Sequence, residues 1–303
     1  MNVKAEFSIK DLENLSGVKA HTIRIWEKRY KLLEPKRTTT NIRKYDLNNL
    51  KKLLNVSFLY NDGYKISKIA HLNNEELLKL IQNKAKLKQE DFAINAFKTA
   101  MFDFDHQLFN STYKKLLEQK SFSEIFEHIF IPLLNDIGLL WQTSTIDPVH
   151  ESFISELIKQ KIVINIALEQ ESFTKNNETV FVLFLPFQEV HDIGLHFANY
   201  HLTSVGFKTI YLGANIPLNN LKNLLKNSNQ LIFLTYLTVQ PEDKDAQTFV
   251  KDFTNEICAK HNCNLWTVGP KAQNLDRKEI PDGVRVISGL HEFYECIQKL
   301  KNS

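Results

Sequence analysis

Apolar residues recur at two different spacings along this chain, and the change of spacing divides it near residue 177. Before that point they recur every three or four residues, as on one face of an amphipathic helix. Beyond it, short apolar runs alternate with helical stretches, a pattern typical of buried strands in a parallel sheet. The runs cover residues 179–186, 208–213, 230–237, 264–269 and 284–288. We therefore predict a helical first half and a flavodoxin-like, doubly wound parallel sheet in the second half.

The first 45 residues predict two short helices joined by a tight turn and followed by strand-forming residues. Ser8 is a candidate N-cap of the first helix, and Ser16-Gly17 supplies the turn. The second helix, from about residue 19 to 29, directs Ile23 and Trp26 inward. Its outward positions are Lys19, His21, Thr22, Arg24 and Lys28. Such a helix can offer its N-terminal half to a major groove, and residues 35–45 suit a wing that lies along the phosphates.

This region resembles the MerR family of transcription regulators, which carry a winged helix-turn-helix. The resemblance rests on IWEKRY (Ile25 to Tyr30), on EPKR (Glu34 to Arg37) and on RKY (Arg43 to Tyr45). Family members often have Gly-Gly in the wing, where this chain has Thr40-Asn41. The alternative is a small helical domain with a basic solvated face. The residues expected to contact DNA are Lys19, His21, Thr22, Arg24, Arg29, Tyr30, Arg37, Arg43 and Tyr45.

The charge distribution supports the same interpretation. Residues 1–70 contain 15 Lys and Arg against 7 Asp and Glu, whereas the whole chain contains 38 against 35. The rest of the chain is therefore acidic on balance. A basic N-terminal region on an acidic body is the pattern expected when only one end of a protein meets phosphate.

Only helical periodicity is visible between residue 91 and about residue 172, which predicts a four-helix bundle. Phe92, Ala96, Ala100 and Phe104 are expected to share its first buried face. A Lys-rich polar stretch precedes the bundle and resembles a helical linker. The predicted domains are a winged helix-turn-helix at 1–75, a helical linker at 76–90, a helical bundle at 91–175 and a sheet domain at 176–303.

The loop after the first predicted strand carries Glu-x-His-x-x-Gly at residues 189–194, where this fold binds ligands. With YLGANIP at 211–217, this resembles the cobalamin-binding domain of methionine synthases and cobalamin-dependent mutases. The resemblance implies that His191 coordinates cobalt from below and that Glu189 steadies its imidazole. This suits the residue types, because a carboxylate behind the ring fixes its tautomer and raises its basicity. Gly194 would let the corrin ring approach the backbone.

The later strands match that family less closely. Family members end the third strand in Ser-x-Leu, where the serine contacts the nucleotide tail, and this chain has Thr235-Tyr236-Leu237. A Gly-Gly pair normally lines the channel of the tail, and here it is Gly269-Pro270. Proline removes an N–H and adds a ring where bare backbone is expected. The resemblance implies that Thr235, Leu237 and Gly269 contact the cofactor, either adenosylcobalamin or methylcobalamin.

A winged helix-turn-helix, a helical bundle and a sheet domain in this order resemble the domain order of the light-responsive CarA/CarH/LitR group of regulators. That group caps the upper face of cobalamin with a tryptophan, nine residues and then Glu-His. Here Trp141 and Glu151 keep the spacing, while Ser152 replaces the histidine. Gln142 stands where the light sensors of the group carry a further histidine, so we expect no normal photoswitching. The other interpretation of Trp141 is a core aromatic residue.

Several classes of function are disfavoured by the sequence. The chain has no apolar run long enough to span a membrane and no signal-peptide core. We interpret Cys258, Cys263 and Cys296 as reduced core thiols. Both observations favour a cytoplasmic protein. No catalytic constellation is visible. We expect a DNA-binding regulator that acts as a homodimer or higher homo-oligomer on promoter DNA, with repression implied by the resemblance. The alternatives are a corrinoid-dependent methyl-transfer enzyme or carrier protein and a regulator that has lost cobalamin binding.

Overall fold

The computed structural model falls into two compact units, Met1–Ile158 and Lys159–Ser303. The described residues are 5–85, 88–171, 179–222, 224, 230–241, 246–258, 261 and 263–302. The predicted linker at 76–90, the end of the predicted bundle at 175 and parts of the helical stretches at 218–226 and 241–261 include positions outside these residues. The predicted domain boundaries therefore stay predictions.

The first unit begins with a small head of short helices and a three-stranded antiparallel sheet of order β1-β3-β2. Its elements are β1 (Glu6–Phe7), α1 (Ile9–Ser16), α2 (Ala20–Tyr30), β2 (Lys36–Arg37), β3 (Arg43–Asp46), α3 (Leu47–Asn61), α4 (Ile66–Ile69) and α5 (Asn74–Ala85). Ser8 caps α1 through a capping box with Asp11, and Gly17 ends the helix in the left-handed region at φ 71°. Asp46 caps α3 in the same way as Ser8 caps α1, by accepting from a backbone N–H.

Four helices follow the head, as predicted, and the last of them extends past the end of the first unit at Ile158. They are α6 (Gln89–Asp103), α7 (His106–Leu117), a continuous helix made of α8 (Phe122–Ile125), a π-helical segment (Phe126–Phe130) and α9 (Ile131–Gln142), and finally α10 (Pro148–Glu171). The predicted buried face of α6 is wrong, because the helix buries Ala93, Phe97 and Met101 together with Ala100. Phe104 instead ends α6 with a positive φ of 51° and is 37% exposed.

The head packs on the bundle within this unit. The ring of Phe7 meets that of Phe102 edge-on at 5.4 Å between centroids. Lys51 on α3 forms an ion pair with Asp103 at the end of α6. Asn14 on α1 donates a hydrogen bond of 2.9 Å to the hydroxyl of Thr145, in the loop between α9 and α10. Helix α1 of the head therefore contacts the loop between α9 and α10, which follows Trp141.

The second unit is a five-stranded parallel sheet of order β5-β4-β6-β7-β8 with helices on both faces. The strands are β4 (Val180–Phe184), β5 (Lys208–Gly213), β6 (Leu231–Tyr236), β7 (Cys263–Val268) and β8 (Val284–Val286). The helices are α11 (Ile193–Ser204), α12 (Leu218–Leu221), α13 (Ala246–Phe253), α14 (Pro270–Gln273) and α15 (Leu290–Lys301). The five predicted strands are thus confirmed to within two residues at either end. The strand order reverses beside β4, which places the loop after β4 at the ligand-binding switch point of this fold.

The structure bears on two further expectations from the sequence, one about the cysteines and one about membrane-spanning helices. Cys258 and Cys263 are joined by a disulfide, so the interpretation of these two as reduced thiols is corrected, whereas Cys296 is a free buried thiol. Their Cα atoms lie 5.3 Å apart across the turn into β7, which is within the bridging range. Among the described residues, the helices are all too short or too polar to cross a membrane.

Candidate functional sites

The outer face of α2 carries the polar residues that the sequence predicted to contact DNA. Ile23 and Trp26 are buried and fix the opposite face against the head. The N-terminal turn of α2 is thereby presented outward, as a helix that enters a groove requires. Lys19 and Arg29 keep local contacts, an ion pair to Glu13 at 3.3 Å and a cation–π contact to Tyr30 at 5.5 Å. The exposed residues of this surface are Lys19, His21, Arg24, Lys28 and Arg29, and the half-buried ones are Thr22 and Tyr30.

The wing turns without the glycine pair of the family. Asn41 takes the left-handed region at φ 65°, which asparagine tolerates better than most residues. Its backbone N–H donates to the carbonyl of Thr38, and its side-chain oxygen accepts a bond of 2.7 Å from the exposed Arg37. The wing tip is therefore a closed turn with a guanidinium on its surface.

Two of the predicted DNA contacts are tied to the protein instead. Tyr45 is fully buried, and its hydroxyl donates to Glu27 at 2.8 Å. Burial and this carboxylate raise the pKa of Tyr45. The expectation that Tyr45 contacts phosphate is therefore corrected, because its side chain belongs to the core of the head. Arg43 donates to both oxygens of the same Glu27, at 3.0 and 3.1 Å, so its first role is to join the wing to α2.

The second candidate site is the loop between β4 and α11. The imidazole Nδ1 of His191 lies 2.6 Å from one carboxylate oxygen of Glu189, and the His191 side chain is 49% exposed. Since an ionised carboxylate only accepts, Nδ1 carries the proton and Nε2 is the nitrogen suited to a metal. The predicted pairing of these two residues is thus present in the structure.

Glu189 is buried and organises two loops at once. One of its oxygens accepts from the backbone N–H groups of residues 190 and 191, the other from those of Thr238, Val239 and Gln240. Burial raises the pKa of Glu189, but the hydrogen bonds from His191 and from the backbone outweigh it and hold the pKa well below its usual value. The carboxylate is therefore a permanent acceptor that orients the imidazole.

The YLGANIP loop braces this histidine loop from the neighbouring strand. Asn215, at φ 69°, accepts a bond of 2.8 Å from the backbone N–H of Gln188. The backbone N–H groups of Leu185 and Ile216 complete a pair of crossed bonds between the two loops. The two sequence blocks therefore act together to hold the histidine loop in position.

Exposed apolar side chains lie in the histidine loop and in the loop bonded to Glu189. Phe187 is 59% exposed, Val190 69% and Val239 48%. The first two lie in the histidine loop and the third in the loop that Glu189 holds. Sequence reasoning missed these residues, although large apolar side chains in loops between strand and helix are a visible signal. Exposed apolar side chains in the same loops as an oriented imidazole suit a large, flat and partly apolar ligand.

The remaining predicted cofactor residues of the sheet domain are occupied by internal packing. A Cβ on Gly194 would lie 2.6 Å from the ring of Tyr236, and one on Gly269 would lie 2.7 Å from the carbonyl oxygen of Leu237. Both glycines are thus required by neighbours within the chain. Thr235 and Leu237 are fully buried at the end of β6.

The bundle carries a third set of candidate residues, at the end of α9 and the start of α10. Trp141, in the last turn of α9, is 53% exposed, which excludes the interpretation of a core residue. Leu139 and Val149 are also exposed on either side of the intervening loop, and Glu151 is half-buried in the first turn of α10. His150, which sequence reasoning missed, is buried and stacks on Phe104 at 5.2 Å between centroids. His150, which follows the exposed Val149, therefore belongs to a packed aromatic cluster with Phe102 and Phe104.

Comparisons with known families and proteins agree with this division. Residues 7–76 match the model of the MerR HTH family regulatory protein, and residues 93–164 match that of a B12 binding domain. The second match covers the helical bundle from α6 to α10. The chain is also 23% identical over 222 residues to the HTH-type transcriptional repressor CarH of Myxococcus xanthus, covering 71% of this chain and 73% of that protein. The predicted combination of a MerR-type head with a B12-binding domain is confirmed.

The fold also resembles that of a solved protein. The monomethylamine corrinoid protein of Methanosarcina barkeri superposes with a TM-score of 0.55 at 12% identity, covering 68% of this chain and 96% of that one. At this identity the likeness shows the fold alone.

Proposed function

We propose that this chain is a sequence-specific, DNA-binding transcription regulator whose activity is set by a corrinoid bound at the oriented His191 of its sheet domain. The observation that carries the regulatory role is the exposed polar and basic face of α2, backed by buried Ile23 and Trp26. Lys19, His21, Thr22, Arg24, Arg29 and Tyr30 contact DNA from this helix, and Arg37 contacts phosphate from the wing. Repression is the proposed sign of regulation, since the CarH relative is a repressor.

Selection of DNA from a random library tests the DNA-binding role. The full chain is expected to enrich an inverted repeat, because one short helix reads too few bases alone and two heads must bind together. A deletion of residues 1–75 is the control and is expected to enrich nothing. Enrichment by the deleted chain, or none by the full chain, would contradict the proposal.

Assembly follows from the same argument. Two half-sites about one helical turn apart need two copies of the chain, so we propose a homodimer or higher homo-oligomer. Light scattering of the protein alone and on its selected operator measures the assembly. Monomers in both conditions would contradict this part of the proposal.

The corrinoid role is proposed from the fit of His191 and its surroundings. Cobalamin supplies a cobalt ion that accepts an imidazole nitrogen as a ligand. Glu189 holds the ring through Nδ1, which leaves Nε2 as the nitrogen suited to cobalt, and exposed apolar residues lie in the same two loops. By the same resemblance, Trp141 and Glu151 of the bundle are further proposed cofactor residues. By the resemblance, Thr235, Leu237, Gly194 and Gly269 are also proposed as cofactor residues, and neighbours within the chain fill the space beside the two glycines.

An absorption spectrum tests the cofactor. Wild-type protein is expected to retain adenosylcobalamin or methylcobalamin through gel filtration with a spectrum of imidazole ligation, and His191→Ala is expected to lose that ligation. His201→Ala is the matched control, because His201 is another histidine of the same domain, in α11, and its ring packs against Phe293 and Tyr294. An unchanged His191→Ala spectrum would contradict the assignment of His191. Because Gln142 and Ser152 replace histidines, illumination is expected to leave the oligomeric state unchanged.

One observation favours a second candidate, a regulator whose sheet domain serves protein contacts alone. The ring of Tyr236 occupies the space beside Gly194 where the resemblance puts the corrin. Absence of any retained corrinoid from a protein that binds its operator would support this candidate. A corrinoid carrier is instead supported if corrinoid is retained and no DNA is bound.

A further inference from the structure

The outer face of α2 carries one large apolar side chain among its polar ones. Ile25 is 52% exposed, although it lies between the exposed Arg24 and the buried Trp26. At helical spacing it shares a stripe with His21 and Lys28, four residues before it and three after it. Every other member of this stripe carries a group that can bind phosphates or base edges. Packing within the head does not explain Ile25, since more than half of its side chain meets solvent.

The chemistry of a DNA groove leaves one partner for such a side chain. In the major groove the C5 methyl of thymine is the single apolar group on a base edge, and apolar side chains contact it. Polar neighbours on the same turn of α2 anchor the helix at the depth where base edges are reached. An isoleucine at this position distinguishes thymine from the other bases by burying a methyl that they lack at that place.

We propose that Ile25 is a specificity determinant of this regulator and reads a thymine methyl in each operator half-site. The inference rests on the proposed DNA binding and adds the identity of a base that the polar residues do not specify. His21 and Arg24 supply hydrogen bonds to neighbouring bases, while Ile25 selects by shape and apolar contact. The selected operator is therefore expected to contain a thymine at the same place in both halves.

Replacement of thymine by deoxyuridine tests this without changing base pairing. Each thymine of the selected operator is exchanged singly for deoxyuridine, which lacks only the methyl, and affinity is measured with the full wild-type chain. At one position in each half-site the exchange is expected to weaken binding about three- to fivefold, the value of one buried methyl. In Ile25→Ala the affinities for thymine and deoxyuridine at that position are expected to be equal.

Ile42 provides a matched control, because it is an equally exposed isoleucine of the same head but lies in the wing. Ile42→Ala is expected to keep the full deoxyuridine effect at the position assigned to Ile25. The inference is overturned if no thymine of the operator shows the effect with wild type, or if the effect persists in Ile25→Ala. A failure of DNA binding itself appears differently, since the wild-type chain then selects no operator. Both substituted side chains are exposed, so circular dichroism is expected to show unchanged folding.

Discussion

The head and the sheet domain expose their candidate binding groups in opposite ways. On α2 the polar side chains reach into solvent from a helix whose other face is buried, and their contacts are local ones, such as Lys19 with Glu13 and Arg29 with Tyr30. In the loop after β4 the reactive side chain is held by a buried carboxylate that collects five backbone N–H groups and one imidazole. A DNA surface tolerates mobile side chains because phosphates are many, whereas a single metal ligand must be oriented in advance.

The largest effect is expected where the sheet domain is most preorganised. Glu189→Gln replaces an acceptor oxygen with an amide that faces backbone N–H groups, so it leaves several buried donors unpaired. We expect a loss of about 3 kcal/mol in the free energy of unfolding at pH 7, measured with urea. Glu292→Gln is the control, because Glu292 caps Ser288 through similar bonds at a more exposed site.

The pH dependence of the free energy of unfolding tests the same role of Glu189. The pKa of Glu189 lies below its unfolded value of about 4.5, so its contribution is fully present above that pH and is lost as the pH falls further. Wild type is therefore expected to lose stability below about pH 4.5 more steeply than Glu189→Gln. Equal slopes, or a Glu292→Gln effect as large as that of Glu189→Gln, would contradict the assigned network.

The next largest effect concerns phosphate contact by the wing. Arg37→Ala removes an exposed guanidinium and is expected to lower DNA affinity about tenfold near 0.1 M salt, with a salt slope flatter by about one. Tyr45→Phe is expected to leave the salt slope unchanged and to lower only the stability of the head, because its hydroxyl bonds to Glu27. A flattened slope in Tyr45→Phe would restore this residue to the DNA surface.

These residues show what the sequence alone could and could not predict. Strands made of consecutive apolar residues were found within two residues of their ends, because burial on both faces leaves a continuous signal. The inward contacts of Arg43 and Tyr45 were not predicted, because both side chains bind Glu27, which lies 16 and 18 positions earlier in the chain. Nothing local marks a basic or aromatic residue as turned inward by such a partner.

The same limit applies to the cofactor side. The pairing of Glu189 with His191 was predictable because the two residues are neighbours in one loop. The bonds from Glu189 to residues 238–240 were not, because they join positions about 50 residues apart. The exposure of Trp141 and the identity of the buried residues of α6 depend on which side of each helix faces the interior of the bundle. A shift of one position along a helix rotates the buried side by 100°, so apolar spacing alone did not predict them.

A smaller effect is expected at the contact between head and bundle. Asn14→Ala and Thr145→Val each remove one side of a hydrogen bond of 2.9 Å, at a site where Thr145 is fully buried. A double-mutant cycle on unfolding free energy is expected to give a coupling of about 1 kcal/mol. Asn110, an exposed asparagine on α7, serves as the control in an Asn110→Ala variant. A coupling free energy of zero would show that the hydrogen bond between Asn14 and Thr145 does not stabilise the protein in solution.

The smallest effect separates stability from ligand binding inside the sheet. Thr235 on β6 and Thr267 on β7 are paired in register, and both are fully buried. Within the described part of the chain, neither hydroxyl has a hydrogen-bond partner. Because valine keeps the shape and removes an unsatisfied polar atom, either substitution is expected to raise the free energy of unfolding by up to about 1 kcal/mol. Thr235→Val should also weaken corrinoid retention, since Thr235 is a proposed cofactor residue, whereas Thr267→Val should not. Equal retention by the two variants would remove Thr235 from the site while leaving His191 in it.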